Sequence, residues 1–379
     1  MQFRDLNKQY QILKPEIDKA LLDAITSGAF IMGKQVKELE TSLAEYVGVK
    51  HCISCANGTD ALTLALKVWN IGPGDAVFVP DFTFFATAEV VSLEGSTPVF
   101  VDVDEDTFNM DPKCLETAIE KTLKEGKIIP KVIITVDLFG LPANYPAIRE
   151  IANKYNLLIL EDGAQGFGGN INVKRACSFG DISTTSFFPA KPLGCYGDGG
   201  AVFTDNDEWA SILDSLRVHG KGSFKYDNVR IGVNSRLDTL QAAILQPKFE
   251  AFKAYELDRV NESANLYTEI LKEVVKTPVI PDGYFSSWAQ YTIILKNRVE
   301  RDGLQTYLKE KGIPSMIYYP KALHDQIAYK YLNYEVGSSP VTEQLSECVL
   351  SLPIHPYIRY EEIDLICCEI ILFLKQNNK

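Results

Sequence analysis

TTSFFPAKPLGCYGDGGAVFTD, residues 184–205, combines two short strand patterns with a turn that is rich in glycine. The first pattern is β-branched and aromatic and ends at Pro189, and the second begins at Ala201. Lys191 lies in the turn, shortly after two phenylalanines. A nucleophilic lysine must be partly neutral, and apolar walls and nearby cations favour the neutral amine. The stretch therefore fits either a reactive lysine or an ordinary solvated lysine on a hairpin.

The composition around this stretch is that of a globular protein. A chain of 379 residues is too long to fold around one compact core, so we expect two domains. The net charge of −12 disfavours nucleic acid as a partner, because no excess of Lys and Arg exists to neutralise phosphates. We find no signal-like or membrane-spanning apolar run, and the eight cysteines are scattered, mostly in apolar segments. We therefore expect no membrane association, no metal site and a reducing, cytoplasmic location.

Strand and helix patterns alternate through the first half of the chain. This alternation predicts βαβ units and a mostly parallel sheet that is covered by helices on both faces. Ligands of such sheets bind beyond the carboxyl ends of the strands, so the loops after the strands are the candidate site. The predicted strands span residues 51–55, 76–80, 97–103, 131–136 and 157–160, and the predicted helices span residues 83–93, 115–123 and 145–155.

Two of these loops carry polar residues suited to a ligand. In NGTDAL, residues 57–62, Gly58 forms a turn, and Thr59 or Asp60 begins a helix whose N-terminus can bind an anion. The alternative is a simple helix cap. Asp162 follows the apolar run LLILE, and a buried carboxylate needs a partner. It can cap the next turn or pair with a protonated ring nitrogen of a cofactor.

Two glycine-rich segments are rejected as nucleotide motifs. GAFIMGKQ, residues 28–35, nearly matches a P-loop, but Gln35 replaces the magnesium-binding hydroxyl and the segment follows a helix. GAQGFGG, residues 163–169, fails the dinucleotide fingerprint at its third glycine. A nicotinamide enzyme is therefore disfavoured.

The second half of the chain begins with a long polar loop, residues 219–238, which carries Lys221, Lys225, Arg230 and Arg236. Its length favours a functional role over a mobile surface loop. A long helix follows, with an expected kink at Pro247. We place the domain boundary near residue 250, with a large domain over residues 1–250 and a smaller α+β domain over residues 251–379. In the smaller domain we predict strands over residues 290–295 and 313–319.

Seven stretches together resemble the pyridoxal-phosphate-dependent sugar aminotransferases of the DegT family. The resemblance spans residues 28–324 and implies fold type I, the aspartate aminotransferase-like fold, with a mostly parallel seven-stranded sheet between helices and a smaller C-terminal α+β domain. One of these stretches, SFFPAKPLGCYGDGGA (residues 186–201), is most similar to the corresponding stretch of enzymes that aminate C3 of a UDP-linked 3-keto sugar acid. The stretches are GAFIMGKQVKELE, NGTDAL, PDFTFFATAEV, EDGAQ, SFFPAKPLGCYGDGGAVFT, GVNSRLDTLQAAIL and YYPKALHDQ.

The resemblance implies how pyridoxal 5′-phosphate (PLP), or its aminated form pyridoxamine phosphate (PMP), is held. Lys191 would bind the cofactor covalently and then move protons, and Asp162 would keep the pyridine nitrogen protonated. Gln165 would donate to the phenolic oxygen, and Phe84 would stack on the ring unless it belongs to the core. The phosphate site would comprise Gly58, Thr59, Asp60 and Ser186, completed by Asn234 of the neighbouring subunit.

The same resemblance implies the substrates and the assembly. Arg230, Tyr319 and His324 would bind substrate, although His324 can equally cap the following helix and Tyr319 can be a core residue. A site shared between subunits implies an obligate homodimer.

The implied function is transfer of the amino group of L-glutamate to a keto sugar nucleotide. We expect C3 of UDP-2-acetamido-2-deoxy-3-oxo-D-glucuronic acid, for lipopolysaccharide, O-antigen or capsule precursors. One alternative is the same chemistry on another 3- or 4-keto sugar, such as a 6-deoxy sugar linked to UDP or dTDP. The other is a non-catalytic regulatory protein of the same fold.

Overall fold

A computed structural model of the chain describes residues 1–224 and 226–377. Its strands are β1 (His51–Cys55), β2 (Asp75–Pro80), β3 (Thr97–Val101), β4 (Ile129–Val136), β5 (Leu158–Asp162), β6 (Asn170–Ile171), β7 (Lys174–Arg175), β8 (Ile182–Ser186), β9 (Gly200–Thr204), β10 (Tyr284–Phe285), β11 (Tyr291–Ile294) and β12 (Val349–Leu352).

The α-helices in the described part of the chain begin and end close to their sequence signals. Asn57, Asp111, Asn144 and Asn206 each cap the helix that follows them. The helices are α1 (Leu6–Ser27), α2 (Lys34–Val47), α3 (Gly58–Val68), α4 (Ala86–Leu93), α5 (Pro112–Glu125), α6 (Tyr145–Tyr155), α7 (Asp207–Leu216), α8 (Thr239–Ala251), α9 (Leu257–Leu271), α10 (Arg298–Glu310), α11 (Pro340–Cys348) and α12 (Tyr360–Asn377).

Seven strands form the central sheet in the order β1-β9-β8-β5-β4-β2-β3. Strand β9 is antiparallel to both of its neighbours, and the other adjacent pairs are parallel. The predicted mostly parallel, seven-stranded sheet is confirmed. The carboxyl ends of β2, β4, β5 and β8 therefore meet along one edge, where the predicted site residues follow them.

Helices cover both faces of this sheet, as the apolar strands require. On one face, α3, α4 and α7 pack against Val77, Val132 and Leu160. On the other face, α5 and α6 pack against Phe78 and Ile133. Because both faces are buried, the strand ends are held in fixed positions relative to one another.

The C-terminal part has its own apolar core, built from α9, α10, α12, β11 and β12. A kink was expected at Pro247, but α8 continues through this residue to Ala251. The chain then forms a π-helical turn over Phe252–Glu256 before α9 begins. The division into domains near residue 250 stays a prediction.

Two predictions of local structure need correction. The predicted strand over residues 313–319 is wrong: Met316 makes an isolated bridge to Ser351, and Pro314 and Pro320 remove backbone donors that a longer ladder would need. The helix predicted from Thr83 begins at Ala86 instead. None of the helices described is long and apolar enough to span a bilayer.

Candidate active site

Asp162 is the last residue of β5, in the middle of the sheet, and is buried. Its Oδ2 accepts a hydrogen bond from Thr87 Oγ1 at 2.9 Å, and its Oδ1 accepts one from the Ala164 backbone N–H at 3.2 Å. Burial raises the pKa of Asp162, whereas the Lys191 ammonium and the Thr87 hydroxyl lower it. These two hydrogen bonds fix the orientation of the Asp162 carboxylate at the end of β5. Because it is buried, the carboxylate attracts a nearby positive group strongly.

Lys191 lies in the turn between β8 and β9, and its backbone N–H donates to the Phe188 carbonyl at 2.8 Å. Burial lowers the pKa of Lys191, Asp162 raises it, and the Arg4 guanidinium lowers it. The amine therefore has a larger neutral fraction near neutral pH than a solvated lysine. The solvated-hairpin alternative does not fit this environment.

The predicted phosphate-binding residues meet at the N-terminus of α3. A Cβ at Gly58 would lie 2.7 Å from Ser186 Cβ, so the turn after β1 and the end of β8 touch closely enough to require glycine. Asn57 caps the helix by accepting from the Asp60 backbone N–H at 2.8 Å. Thr59 and Asp60 in the first turn are partly exposed. A helix N-terminus with two hydroxyls fits a phosphate group.

Gln165 and Phe84, which follow the ends of β5 and β2, both lie next to Tyr319. Gln165 Nε2 donates to the Tyr319 hydroxyl at 3.1 Å, and Gln165 Oε1 accepts from the Phe139 backbone N–H at 2.7 Å. The Phe84 ring lies 6.4 Å from the Tyr319 ring and is 55% exposed, which excludes the core alternative for Phe84. An exposed aromatic face beside polar groups suits a planar cofactor ring.

His324, which was predicted to bind substrate or to cap the following helix, lies in a buried and acidic environment. The side chain is 1% exposed, Nδ1 pairs with buried Asp81, and the backbone N–H of His324 donates to Asp81 Oδ1 at 2.9 Å. Its Nε2 lies 3.6 Å from Glu343. Gln326 stands at the N-cap position of the following short helix, and its side chain makes no capping hydrogen bond. The histidine joins the segment after residue 320 to the end of β2.

Arg230 and Asn234 lie on the polar loop and away from the core. Arg230 is exposed, and Asn234 forms a backbone bridge to Val218. The adjacent Ser235 accepts a hydrogen bond from the Ala56 backbone N–H at 3.0 Å, which ties the base of the loop to the turn before α3. Lys225, predicted as part of the loop's positive charge, lies outside the described residues.

Sequence reasoning missed two residues that support the site. Thr87 of α4 donates to Asp162 at the end of β5, a contact that depends on how these two elements pack and that no local pattern indicated. Arg4 donates to the Lys191 carbonyl across 187 residues of chain, and no local pattern could have indicated it.

A partly buried lysine of lowered pKa in the turn after β8, a buried aspartate at the end of β5 and a helix N-terminus suited to an anion together fit a PLP-dependent enzyme of fold type I, the class to which the structural neighbours belong. The family model of the DegT/DnrJ/EryC1/StrS aminotransferases matches residues 11–371, and the chain belongs to this family. It is a PLP-dependent sugar aminotransferase.

Similar proteins can be aligned with almost the whole length of this chain. A Pseudomonas aeruginosa UDP-2-acetamido-2-deoxy-3-oxo-D-glucuronate aminotransferase is 44% identical over 98% of this chain and 99% of its own length. A pleiotropic regulatory protein of Geobacillus stearothermophilus is 42% identical over 98% of each chain. The crystal structure of a family aminotransferase from Brucella abortus is 51% identical, with a TM-score of 0.95, and covers 98% of this chain and 99% of that one.

Proposed function

We propose that the protein transfers the amino group of L-glutamate to C3 of UDP-2-acetamido-2-deoxy-3-oxo-D-glucuronate. The observation that carries the chemistry is the Lys191–Asp162 pair, in which burial shifts both pKa values towards the neutral forms while each charge stabilises the other. The substrate is supported by the 44% identity to the P. aeruginosa enzyme over nearly the full length of both chains. Lipopolysaccharide or O-antigen synthesis and a cytoplasmic location stay predictions.

When bound, PLP supplies a ring that accepts the electron pair left on carbon when a proton is removed. Asp162, oriented by Thr87, would hold the proton on the ring nitrogen. Lys191 Nζ would take the α-proton of glutamate in the first half-reaction and give a proton to C3 of the sugar in the second. Gly58, Thr59, Asp60 and Ser186 would anchor the phosphate, Phe84 would cover one face of the ring, and Gln165 would donate to its phenolic oxygen.

A homodimer with shared active sites is part of this proposal. The loop that carries Arg230 and Asn234 exposes apolar side chains that a second copy would cover, and the segment after α1 exposes Phe30 and Ile31. Asn234 would complete the partner's phosphate site, and Arg230 and Tyr319 would bind the sugar nucleotide. The exposed fractions in the loop are 76% for Phe224, 56% for Val229 and 92% for Ile231.

The test follows the two half-reactions separately in PLP-loaded protein. Glutamate should remove the visible absorbance of the loaded enzyme, and the UDP-linked 3-keto sugar acid should restore it and yield an amino sugar by mass spectrometry. Loss without restoration would keep the aminotransferase activity but exclude the UDP-linked 3-keto sugar acid, and a 4-keto-6-deoxy sugar linked to UDP or dTDP would be the next acceptor to test. Lys191→Arg, which keeps the positive charge, should show neither change.

A regulatory role is the second candidate, because the G. stearothermophilus relative is named a regulatory protein. The presence of both Lys191 and Asp162 favours catalysis, since a binding protein has no need of a proton-transferring lysine. Absence of any glutamate-dependent change in absorbance would favour the regulatory role.

A further inference from the structure

The side chain of Arg4 reaches the turn that carries Lys191 from the N-terminal segment before α1. Its Nη2 donates to the Lys191 carbonyl at 2.8 Å and lies 3.4 Å from the Pro192 carbonyl. Hydrogen bonds from a guanidinium are charge-assisted and so are stronger than those from a neutral donor. Arg4 thus binds the main chain of the lysine itself and not only a neighbouring loop.

A second cation holds the same turn three residues further on. Lys248 of α8 is 1% exposed, and its Nζ donates to the Gly194 carbonyl. Burial lowers the pKa of Lys248 to about 8. The carbonyls of residues 191 and 194 are therefore both bound by positive side chains from outside the turn, which limits the positions that the Lys191 backbone can take.

Glu256 supplies the compensating negative charge at the end of the π-helical turn. It is 2% exposed and accepts hydrogen bonds from Gln9 Nε2 at 2.8 Å and from the Tyr357 hydroxyl. Its charge attracts both Arg4 and Lys248. A buried cation requires such a partner, so the arrangement extends from the N-terminal segment to the C-terminal part of the chain.

We propose that Arg4 is a positioning residue for Lys191, fixing the main chain of residues 191 and 192 and placing a second positive charge near the Lys191 amine. The inference rests on the proposed role of Lys191 as the cofactor-binding lysine. It extends that role, because the N-terminal segment becomes part of the machinery that orients the amine.

The charge of Arg4 has a defined electrostatic consequence. The charged groups that act on Lys191 are Asp162, at the end of β5, and Arg4, in the N-terminal segment. Asp162 favours the protonated amine, whereas Arg4 opposes it. Removing the positive charge of Arg4 should therefore raise the pKa of Lys191, a change that a purely structural contact would not produce.

The experiment compares Arg4→Gln, Arg4→Lys and Lys8→Gln in the full-length, PLP-loaded protein. Lys8 is exposed in the first turn of α1, so Lys8→Gln matches the loss of net charge without the contact. The readout is the pH midpoint of the change in visible absorbance, which would report the protonation of Lys191 Nζ where it is joined to the cofactor; a nearby positive charge acts on this nitrogen in the same direction as on the free amine. We expect Arg4→Gln to raise this midpoint by about half to one pH unit, a threefold to tenfold change in proton concentration.

The two controls decide the interpretation. Arg4→Lys keeps the charge and should stay close to the wild-type midpoint, even if the loss of the planar donor lowers the turnover. An unchanged midpoint in Arg4→Gln, or an equal shift in Lys8→Gln, would overturn the proposal.

Lys191→Ala separates this proposal from the one on which it rests. The variant can hold PLP only without a covalent bond, so borohydride should fix no cofactor mass on its chain. Cofactor mass fixed on the chain of Lys191→Ala would overturn the role of Lys191 and the role of Arg4 with it. If borohydride fixes no cofactor in Lys191→Ala and Arg4→Gln still has the wild-type midpoint, only the role of Arg4 fails.

Discussion

Asp162 is buried, Lys191 is partly buried, and the charge of each group offsets part of the cost of removing the other from water. Burial raises the pKa of the first and lowers that of the second, and their mutual attraction opposes both shifts. Such opposed shifts occur at catalytic sites, where a group must change its protonation state during turnover.

Asp162→Asn tests the role of the carboxylate. The amide keeps the size and one acceptor for Thr87 but cannot balance a proton on the ring nitrogen. We expect the rate of each half-reaction to fall by roughly 100-fold or more, with near-normal thermal stability. Rapid-mixing absorbance would measure the rates. A rate within about threefold of wild type would contradict the assignment.

Thr87→Val removes the hydroxyl that donates to Asp162 while it keeps the shape of the side chain. Since that hydrogen bond lowers the pKa of Asp162, its loss should raise this pKa and shift the acid limb of the pH–rate profile to higher pH. We expect roughly tenfold lower activity at neutral pH, as for other groups that orient a reacting residue. Thr87→Ser, which keeps the hydroxyl, is the matched control and should retain the wild-type profile.

At the scale of elements, the site depends on the contact between the turn before α3 and the end of β8. Gly58→Ala would place a Cβ 2.7 Å from Ser186 Cβ. We expect a loss of about 1–3 kcal/mol in the free energy of unfolding and weaker PLP binding. Gly72→Ala is the control, since its Cβ would lie 3.7 Å from the nearest atom, the Glu94 carbonyl. Chemical denaturation and PLP titration would measure both effects, and equal behaviour of the two variants would contradict this reasoning.

The Asp81–His324 pair should make stability depend on pH. Burial lowers the pKa of His324, but Asp81, with Asp325 and Glu343, raises it more, so the pKa in the folded protein lies above the ordinary value of 6.5. The protonated form therefore favours folding: the stabilisation is complete below about pH 6.5 and is lost as the pH rises through the folded pKa.

His324→Gln removes this titration. The difference in melting temperature between wild type and variant should be larger at about pH 6 than at about pH 9. Differential scanning calorimetry would measure it. The same difference in melting temperature at both pH values would show that the Asp81–His324 pair stabilises the protein only through packing.

Local sequence predicted the elements and much of the site, but not the long-range contacts. Lys191, Asp162 and Gly58 stand in short patterns with distinct chemistry: a lysine between prolines, a carboxylate ending an apolar strand, and a glycine turn before a helix. The partners Thr87, Arg4 and Asp81 could not be predicted, because their contacts depend on how distant segments pack. Residues 313–319 were wrongly predicted because their apolar and aromatic residues resemble a buried strand even where no ladder forms.

At the scale of the whole molecule, the prediction is that two chains share each active site. Lys191→Ala and Asn234→Ala subunits, each inactive alone, should regain activity when they are mixed and allowed to exchange. Half of the dimers would be mixed, and each would hold one intact site, so about a quarter of wild-type activity is expected. No recovery, with exchange of subunits verified by native mass spectrometry, would contradict a shared site.

The central claim is that Lys191 binds the cofactor covalently. The most direct measurement is to load the protein with PLP, reduce it with borohydride, digest it and locate the added cofactor mass by tandem mass spectrometry. We predict that the mass lies on Lys191 and that Lys191→Arg acquires none. The cofactor mass on another lysine, such as Lys248, or on no lysine at all, would contradict the account.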